Sequence, residues 1–142
     1  MKLRMCKFKM LNLNGKLSFK ITFIKTMKRI FGKNTQPSRV FLDTSWSILI
    51  KNNGRKMLPI LGRYLTERKV NKKRWEEPLF HPRLPLGMIN GILDPISGKA
   101  TADRFEEKVP KGKTYKLDLG HYPHVEDPKA VLEAFKSFHA TL

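Results

Sequence analysis

Two side chains that could take part in proton transfer stand just after predicted β-strands of this 142-residue chain. Asp94 follows a short, mostly apolar run, and His121 follows a second run that ends at Gly120. A carboxylate that orients an imidazole supplies two members of a nucleophile–histidine–acid relay, in which the histidine takes a proton from the nucleophile. The sequence therefore predicts two members of such a relay, and the third remains to be located.

A β-α-β unit would bring both side chains to one edge of a parallel sheet. The first strand is predicted because apolar residues crowd together before the turn at Asp94-Pro95, as they do in a strand buried on both faces. These apolar residues are Leu86, Met88, Ile89, Ile92 and Leu93. Thr101 is expected to cap a crossover helix, and residues 114–119 alternate as a second strand. Because such a crossover is right-handed and the strands are parallel, both following loops open on the same edge. Asp94 and His121 are therefore expected to meet there.

The residues around both side chains resemble the last two strands of the α/β-hydrolase fold. The stretches are INGILDPISG at 89–98 and LDLGHYPHVEDPKAVLEAF at 117–135. They look like the branch of haloalkane dehalogenases, epoxide hydrolases and mesoderm-specific-transcript-like hydrolases, in which an acid in a D-P step precedes a G-H-x-P-x-x-E-x-P motif. By this resemblance Asp94 is the acid of the catalytic triad and His121 is the histidine. The rest of the motif is matched by Gly120, Pro123, Glu126 and Pro128.

The resemblance covers about the last two thirds of the chain and implies an α/β fold class. A complete α/β-hydrolase is considerably longer, so the implied architecture is a truncated α/β-hydrolase fold. It consists of a helical cap-like segment followed by a β-α-β-α unit with two parallel strands. The expected parts are a basic, poorly ordered lead over 1–17, the cap-like segment over 18–80 and the core unit over 81–142.

Three basic amphipathic helices are predicted for the cap-like segment. Residues 18–31 place apolar side chains on one helical face, Ser38 opens a second helix, and a third helix runs on from Arg55. The stretch at 63–79 resembles the helix that returns from cap to core in the same family. The linker after it is expected to contain Pro78, Pro82 and Pro85 around His81. The last helix of the chain should begin at Pro128, with a buried face of Val131, Leu132, Phe135 and Phe138.

No nucleophile accompanies the acid and the histidine in the sequence. In this fold it would stand on a G-x-S-x-G turn, or on the same turn with Asp in place of Ser. The GMING stretch at 87–91 has the glycines without a nucleophile, and Ser97 lies too near Asp94 for a histidine oriented by that acid. A loop that would stabilise an oxyanion is missing too. The chain alone is therefore predicted to be inactive: half of a split enzyme, or a noncatalytic remnant that only binds.

Other candidate residues have plainer explanations. Asp118, expected inside the second strand, is the leading competitor of Asp94, but we interpret it as an exposed or ion-paired carboxylate. His124 follows His121 by three positions, yet a third ligand at the usual spacing of a metal site is missing. Neither a metal nor a cofactor is expected. The remaining histidines, His81 and His139, are interpreted as a loop residue and a surface or rim residue.

Charge divides the chain into two unlike halves. Residues 1–75 carry 20 Lys and Arg against 2 acids, whereas residues 76–142 carry 9 against 10, for an overall net charge of +17. The alternative function is therefore a noncatalytic basic protein that binds nucleic acid or an anionic membrane surface through residues 1–75. KVNKKRW at 69–75 combines basic residues with an aromatic one. The lack of a zinc-finger, RNP or helix-turn-helix pattern argues against nucleic acid as a partner.

Partners and location follow from the same features. Cys6 is the only cysteine, which excludes a disulfide within the chain. Residues 1–16 have no apolar run long enough for a secretory leader or a transmembrane segment, so a cytoplasmic location is expected. Two strands alone would leave an exposed sheet edge, which predicts self-association or docking onto a separately encoded N-terminal half. A small-molecule substrate is expected only in that complemented state.

Overall fold

The computed structural model describes the backbone of residues 15–142 and the side chains of residues 19–142. Most of the predicted lead over 1–17, including Cys6, lies outside this part of the chain. The elements are α1 (Gly15–Ile30), α2 (Arg39–Ile50), a 3-10 helix (Lys51–Met57), α3 (Leu58–Leu61), α4 (Tyr64–Val70), α5 (Lys72–Phe80), β1 (Gly87–Gly91), α6 (Lys99–Lys108), β2 (Lys113–Leu117), α7 (Pro123–Glu126) and α8 (Pro128–His139). Between residues 15 and 142, the structure has no helix of the length and apolarity that a membrane crossing requires.

β1 and β2 form a two-stranded parallel sheet joined by the crossover helix α6. Gly87 stands opposite Lys113, and Gly91 stands opposite Leu117. Lys116 of β2 bonds to acids of α6, whereas Gly87 of β1 meets the ring of Phe138 in α8. Because side chains alternate along a strand, these contacts put α6 and α8 on opposite faces of the sheet. The predicted pair of parallel strands is confirmed.

Buried apolar side chains of the described residues form one packed cluster and a second, dispersed group. α1 and α2 pack as a hairpin around the packed cluster, which consists of Met27, Ile30, Phe31 and Leu42. Ser38 caps α2 as expected, since its hydroxyl oxygen accepts a hydrogen bond from the Phe41 amide at 3.1 Å. The second set of buried side chains lies in α6, α8 and the segments around the sheet, and consists of Ala102, Val109, Leu119 and Ala134. The packed cluster is small, so each helix around it depends on few contacts.

The crossover helix begins earlier than predicted. Gly98 precedes its first residue, and the Gly98 carbonyl oxygen accepts the amides of Thr101 and Ala102. Thr101 therefore lies within the first turn and does not cap it. The Lys99 amide bonds to the Ile92 carbonyl oxygen at 3.2 Å, which ties this helix start to the end of β1. The second strand is also shorter than predicted, because Asp118 follows its last residue and is exposed.

The predicted third helix is broken into α3, α4 and α5. Gly62 ends α3 and Asn71 ends α4, since neither residue favours a continuous helix. Pro78 lies inside α5 and not in the linker, which begins only after Phe80. Every residue from 56 to 70 is exposed, so these short helices form an arm without a core of its own. We call residues 56–84 the basic arm.

The buried face of α8 differs from the prediction. Leu132 and Phe135 are 49% and 56% exposed, whereas Ala134 is buried at 6%. Phe138 packs on Gly87 of β1, as a buried residue would. Because α8 turns its smallest apolar side chain inward, its backbone can approach the sheet closely. Leu132 and Phe135 of the predicted face are left toward solvent.

Candidate active site

Asp94 lies in the tight turn after β1, where its carboxylate accepts several hydrogen bonds. Its Oδ1 accepts the Ile96 amide at 2.8 Å, and its Oδ2 accepts the Ser97 amide at 2.9 Å. The Ser97 hydroxyl donates to Oδ2 at 2.6 Å. The Asp94 residue is 7% exposed, so these donors take the place of water around the charge.

His121 follows β2 and reaches the same carboxylate. Its Nδ1 lies 2.8 Å from Oδ2 of Asp94. A carboxylate can only accept, so Nδ1 carries the proton and Nε2 keeps its lone pair when the ring is neutral. The imidazole side chain is 33% exposed, whereas the Asp94 side chain is 3% exposed. The arrangement therefore leaves Nε2 as the basic nitrogen of a partly exposed ring, with a buried acid behind it.

The pKa of the Asp94 carboxyl is governed by two opposing effects. Burial raises the pKa, because a carboxylate loses hydration in the turn. Hydrogen bonds from Ser97, His121 and the Ile96 amide favour the charged form and outweigh burial, so the pKa lies below its usual value. Asp94 is thus ionised at neutral pH, which is the state an orienting acid needs.

Glu126 connects the histidine loop with the corner between α1 and α2. Its Oε2 accepts the amides of Gly32 and Gly120, both at 2.8 Å, and the hydroxyl of Thr35. Its Oε1 accepts the Tyr122 amide at 3.1 Å. Burial raises the pKa of Glu126, and the hydrogen bonds from Thr35 and the three amides lower it by more. The carboxylate is therefore charged while it holds these segments together.

Tyr122 extends the same connection with aromatic contacts. Its ring centroid lies 5.3 Å from that of Phe31 and 6.4 Å from that of Phe41. The His121 ring meets Tyr122 edge-on, with centroids 5.0 Å apart and planes at 89°. Aromatic pairs in this geometry are mildly attractive. The imidazole is thus held between Asp94 and an aromatic cluster that belongs to α1 and α2.

The structure brings Asp94 and His121 together, and the rival residues do not take the place of either. Ser97 donates its hydroxyl to Asp94, which commits that hydroxyl to the acid, and the GMING stretch forms β1. Asp118 is exposed beyond the end of β2. The other histidines, His81, His124 and His139, are exposed. Among residues 15–142, no group of three His, Cys, Asp or Glu side chains converges as metal ligands would.

The chemistry available to this pair is proton transfer at Nε2 of His121. A neutral imidazole backed by a carboxylate can take a proton from a hydroxyl or a water molecule, and the carboxylate stabilises the imidazolium that forms. The pair does not itself supply a nucleophile or oxyanion donors. The geometry therefore fits the general-base half of a relay.

Sequence reasoning missed the contacts of Glu126. The motif at 120–128 drew attention to the residue, but its partners Gly32 and Thr35 are 94 and 91 positions away. The sequence around residues 32–35 does not indicate that these residues donate to a glutamate so distant in the chain. Only an explicit search for donors that could satisfy a glutamate within an apolar loop would have suggested a long-range bond.

The amino-acid sequence of the chain is similar to parts of several known proteins. Over 119 residues, or 82% of its length, the chain is 29% identical to the mesoderm-specific transcript protein of Mus musculus and to the mesoderm-specific transcript homolog protein of Homo sapiens. Over 113 residues, or 79% of its length, it is 33% identical to a Mycobacterium tuberculosis protein named "Putative hydrolase LipZ". The matched regions make up 36% and 39% of these relatives, so the chain spans less than two fifths of their length. No family model matches the chain, and no solved structure is significantly similar. These similarities support an α/β-hydrolase relationship.

Proposed function

We propose that this chain supplies the acid and the histidine of an α/β-hydrolase active site whose nucleophile comes from polypeptide outside its 142 residues. Asp94 orients the imidazole and stabilises its protonated form, and His121 acts as the general base. The substrates would be of the ester, haloalkane or epoxide type. The single observation that supports this proposal best is the 2.8 Å contact between Nδ1 of His121 and the buried carboxylate of Asp94.

The proposed split of the site has a physical basis. A relay without a nucleophile retains only its binding contributions, so the chain alone should not turn over substrate. The named relatives are more than twice as long as the part that they share with this chain, so they have polypeptide that could carry the missing turn. The open edge of a two-stranded sheet offers a place for further strands to pair.

The test is complementation with the segment of the LipZ protein that precedes its matched region. We expect the mixture to hydrolyse p-nitrophenyl acetate, and the chain alone to leave it intact. His121→Ala and Asp94→Asn should each abolish the gain, because one removes the base and the other removes the charge behind it. Glu133→Gln, an exposed change in α8, is the matched control and should keep the gain.

Two results would contradict the proposal. Hydrolysis by a purified mixture that survives His121→Ala would show that the relay is not the source of activity. Hydrolysis by the chain alone that disappears in His121→Ala would show that the chain contains its own nucleophile.

A second candidate function is binding to an anionic membrane surface through the basic arm. An open groove of about 1050 Å³ lies along α5 and the linker after it. Apolar walls at Val70, Leu79 and Leu84 alternate with the cationic side chains of Lys73, Arg74 and Arg83 around it. Aliphatic side chains exposed between basic ones favour a lipid interface, since nonspecific binding to nucleic acid uses mainly the charge.

Vesicle sedimentation separates this candidate from the first. The chain should sediment with vesicles that contain phosphatidylserine, and it should remain in solution with pure phosphatidylcholine. Leu79→Ser with Leu84→Ser should reduce sedimentation without changing charge, while Leu132→Ser in α8 is the control for loss of an exposed leucine. Equal sedimentation of all three proteins would exclude the groove as the contact.

A further inference from the structure

We propose that Glu126 is a positioning residue for His121, and that it fixes the imidazole by tying the histidine loop to the corner between α1 and α2. The proposal deepens the proposed function and rests on it. Its test reads the state of the imidazole itself and needs no hydrolysis assay, so the two can fail separately.

The carboxylate of Glu126 is fully used by donors from two distant segments. Gly32 and Thr35 donate from the α1–α2 corner, and Gly120 and Tyr122 donate from the histidine loop. All four partners are donors, so an acceptor without a proton is required at this position. A charged acceptor makes each bond stronger than a neutral one would. Glutamate satisfies this requirement, whereas glutamine would place its NH2 group against at least one of these backbone N–H donors.

The donors in the histidine loop flank the imidazole-bearing residue. The amides of Gly120 and Tyr122 stand directly before and after His121, and both go to Glu126. The amide of His121 itself donates to the Ile30 carbonyl oxygen at 2.8 Å. Three consecutive amides are thereby held by groups on or against the end of α1. The backbone of His121 is fixed, and the Asp94 contact depends only on the side-chain rotation that remains.

Close backbone packing makes the connection rigid. A Cβ atom on Gly32 would stand 2.8 Å from Oε2 of Glu126, and one on Gly120 would stand 2.6 Å from the Phe31 carbonyl carbon. The atoms close to Gly120 belong to the backbone, so that position requires glycine for steric reasons, whereas a side chain at Gly32 would displace the Glu126 carboxylate. The two segments therefore touch along their backbones, with the Glu126 carboxylate at the junction.

The junction at Glu126 packs against the buried apolar centre of the α1–α2 hairpin. Ile30 and Phe31, at the end of α1, belong to its buried apolar centre, and the ring of Tyr122 packs against that centre. Glu126 is thus held between this apolar centre and the loop that carries His121. Loss of its charge should let the loop move relative to Asp94, which sits on the separate turn after β1.

The test uses the full chain with Glu126→Gln and, as a matched control, Glu133→Gln. Both changes remove one negative charge, but Glu133 is exposed and pairs only with Lys136 at the surface. Long-range proton–nitrogen NMR spectra report which ring nitrogen carries the proton, and His121→Ala assigns the signal. In the unaltered chain and the control, we expect one tautomer protonated at Nδ1. In Glu126→Gln we expect loss of the exchange-protected Nδ1 proton, and exchange of the Gly120 and Tyr122 amides faster by about tenfold or more.

A purely structural role would give a different result. Thr35→Val removes one donor and leaves the three amide bonds, so it should lower stability and keep the single tautomer. If Glu126→Gln lowers stability and also keeps the Nδ1 proton, the positioning role is wrong. If Glu126→Gln does not fold, Glu126→Asp serves instead, because it keeps the charge and shortens the reach. An Asp variant with an unchanged His121 tautomer and unchanged amide exchange would equally overturn the proposal.

The two proposals remain distinguishable. Loss of the Nδ1 proton in Glu126→Gln, together with no hydrolysis by the complemented chain, would support positioning and refute the proposed function. An unchanged tautomer in Glu126→Gln, together with hydrolysis that requires His121, would refute positioning and leave the proposed function standing.

Discussion

At the residue scale, Asp94 matters because its charge is kept where little water reaches it. Two amides, a hydroxyl and an imidazole nitrogen meet its two oxygens. The pKa of the carboxyl is consequently below its usual value, despite burial. A carboxyl whose pKa is lower in the folded than in the unfolded chain stabilises the fold above its unfolded pKa. This stabilisation is lost as the pH falls through the folded value.

Ser97→Ala should show this linkage directly. The change removes the 2.6 Å hydroxyl bond to Asp94, so the pKa of that carboxyl should rise toward its usual value. We expect the free energy of unfolding at pH 7 to fall by about 1–2 kcal/mol, the range for a hydrogen bond to a charged group. Most of that difference should vanish at a pH below the folded pKa of Asp94, where the carboxyl is protonated in both proteins. Urea unfolding at the two pH values measures it.

Ser47→Ala is the control for this prediction. The Ser47 hydroxyl donates to the Thr44 carbonyl oxygen within α2 and is exposed. Its loss should change stability by less than about 0.5 kcal/mol, and equally at both pH values. A Ser97→Ala effect that is also independent of pH would mean that the hydroxyl does not act through the charge of Asp94.

Sequence reasoning reached the Asp94–His121 contact because it depends on topology alone. Any two residues that directly follow adjacent parallel strands lie at one edge, whatever the side chains between them. It could not reach the Glu126 contacts, which join residues more than 90 positions apart through the Gly32 amide and the Thr35 hydroxyl. A backbone amide has no side chain that would mark it in the sequence, so its partner could not be predicted. The catalytic role of Asp94 and His121 stays a prediction.

At the element scale, helix faces were harder to predict than strand order. The spacing of α8 admits two apolar stripes, one through Leu132 and Phe135 and one through Ala134 and Phe138. Hydrophobicity favours the first stripe, but the structure turns the second toward the sheet, with Ala134 buried and Phe138 on Gly87, since alanine lets the helix backbone approach the sheet. The larger residues then face outward, where a longer polypeptide could cover them. The spacing of apolar residues shows which helix faces could be buried, but it does not show against which surface the helix packs.

Paired substitutions in α8 test which stripe supports the sheet. Ala134→Leu places a larger side chain in a closely packed position and should cost about 1–3 kcal/mol of unfolding free energy. Phe135→Ser removes a much larger apolar group, yet should change that free energy by no more than about 0.5 kcal/mol, because the ring is 56% exposed. Urea denaturation of both variants gives the two values. The reverse order would mean that Phe135 is buried and that α8 is rotated.

The basic arm is not one continuous helix, and the residues that interrupt it can be named. Gly62 and Asn71 stand at the ends of α3 and α4, and Asn52 and Asn53 adopt left-handed backbone conformations, with φ of 51° and 59°, before the arm begins. Asparagine tolerates that conformation better than most residues. Amphipathic spacing alone could not show these breaks. It predicted one helix where the structure has three short ones.

At the scale of the whole molecule, the chain combines exposed apolar surface with a high net charge. The basic arm and the outer stripe of α8 leave large apolar side chains in solvent, and the two-stranded sheet has open edges. Such surfaces favour association. The net charge of +17 opposes it, because two copies repel each other over a distance set by the salt concentration. Which effect dominates should therefore depend on salt.

We expect self-association of the chain to increase with salt. The screening length falls from about 10 Å at 0.1 M to about 3 Å at 1 M, so repulsion between copies weakens while apolar contact does not. Sedimentation velocity should show a mostly monomeric protein at the lower salt and larger species at the higher one. Leu132→Ser with Phe135→Ser removes apolar surface without changing charge, and should reduce those larger species. Association that instead weakens with salt would point to contacts between opposite charges, and one compact monomer under both conditions would show that the exposed surfaces do not attract one another.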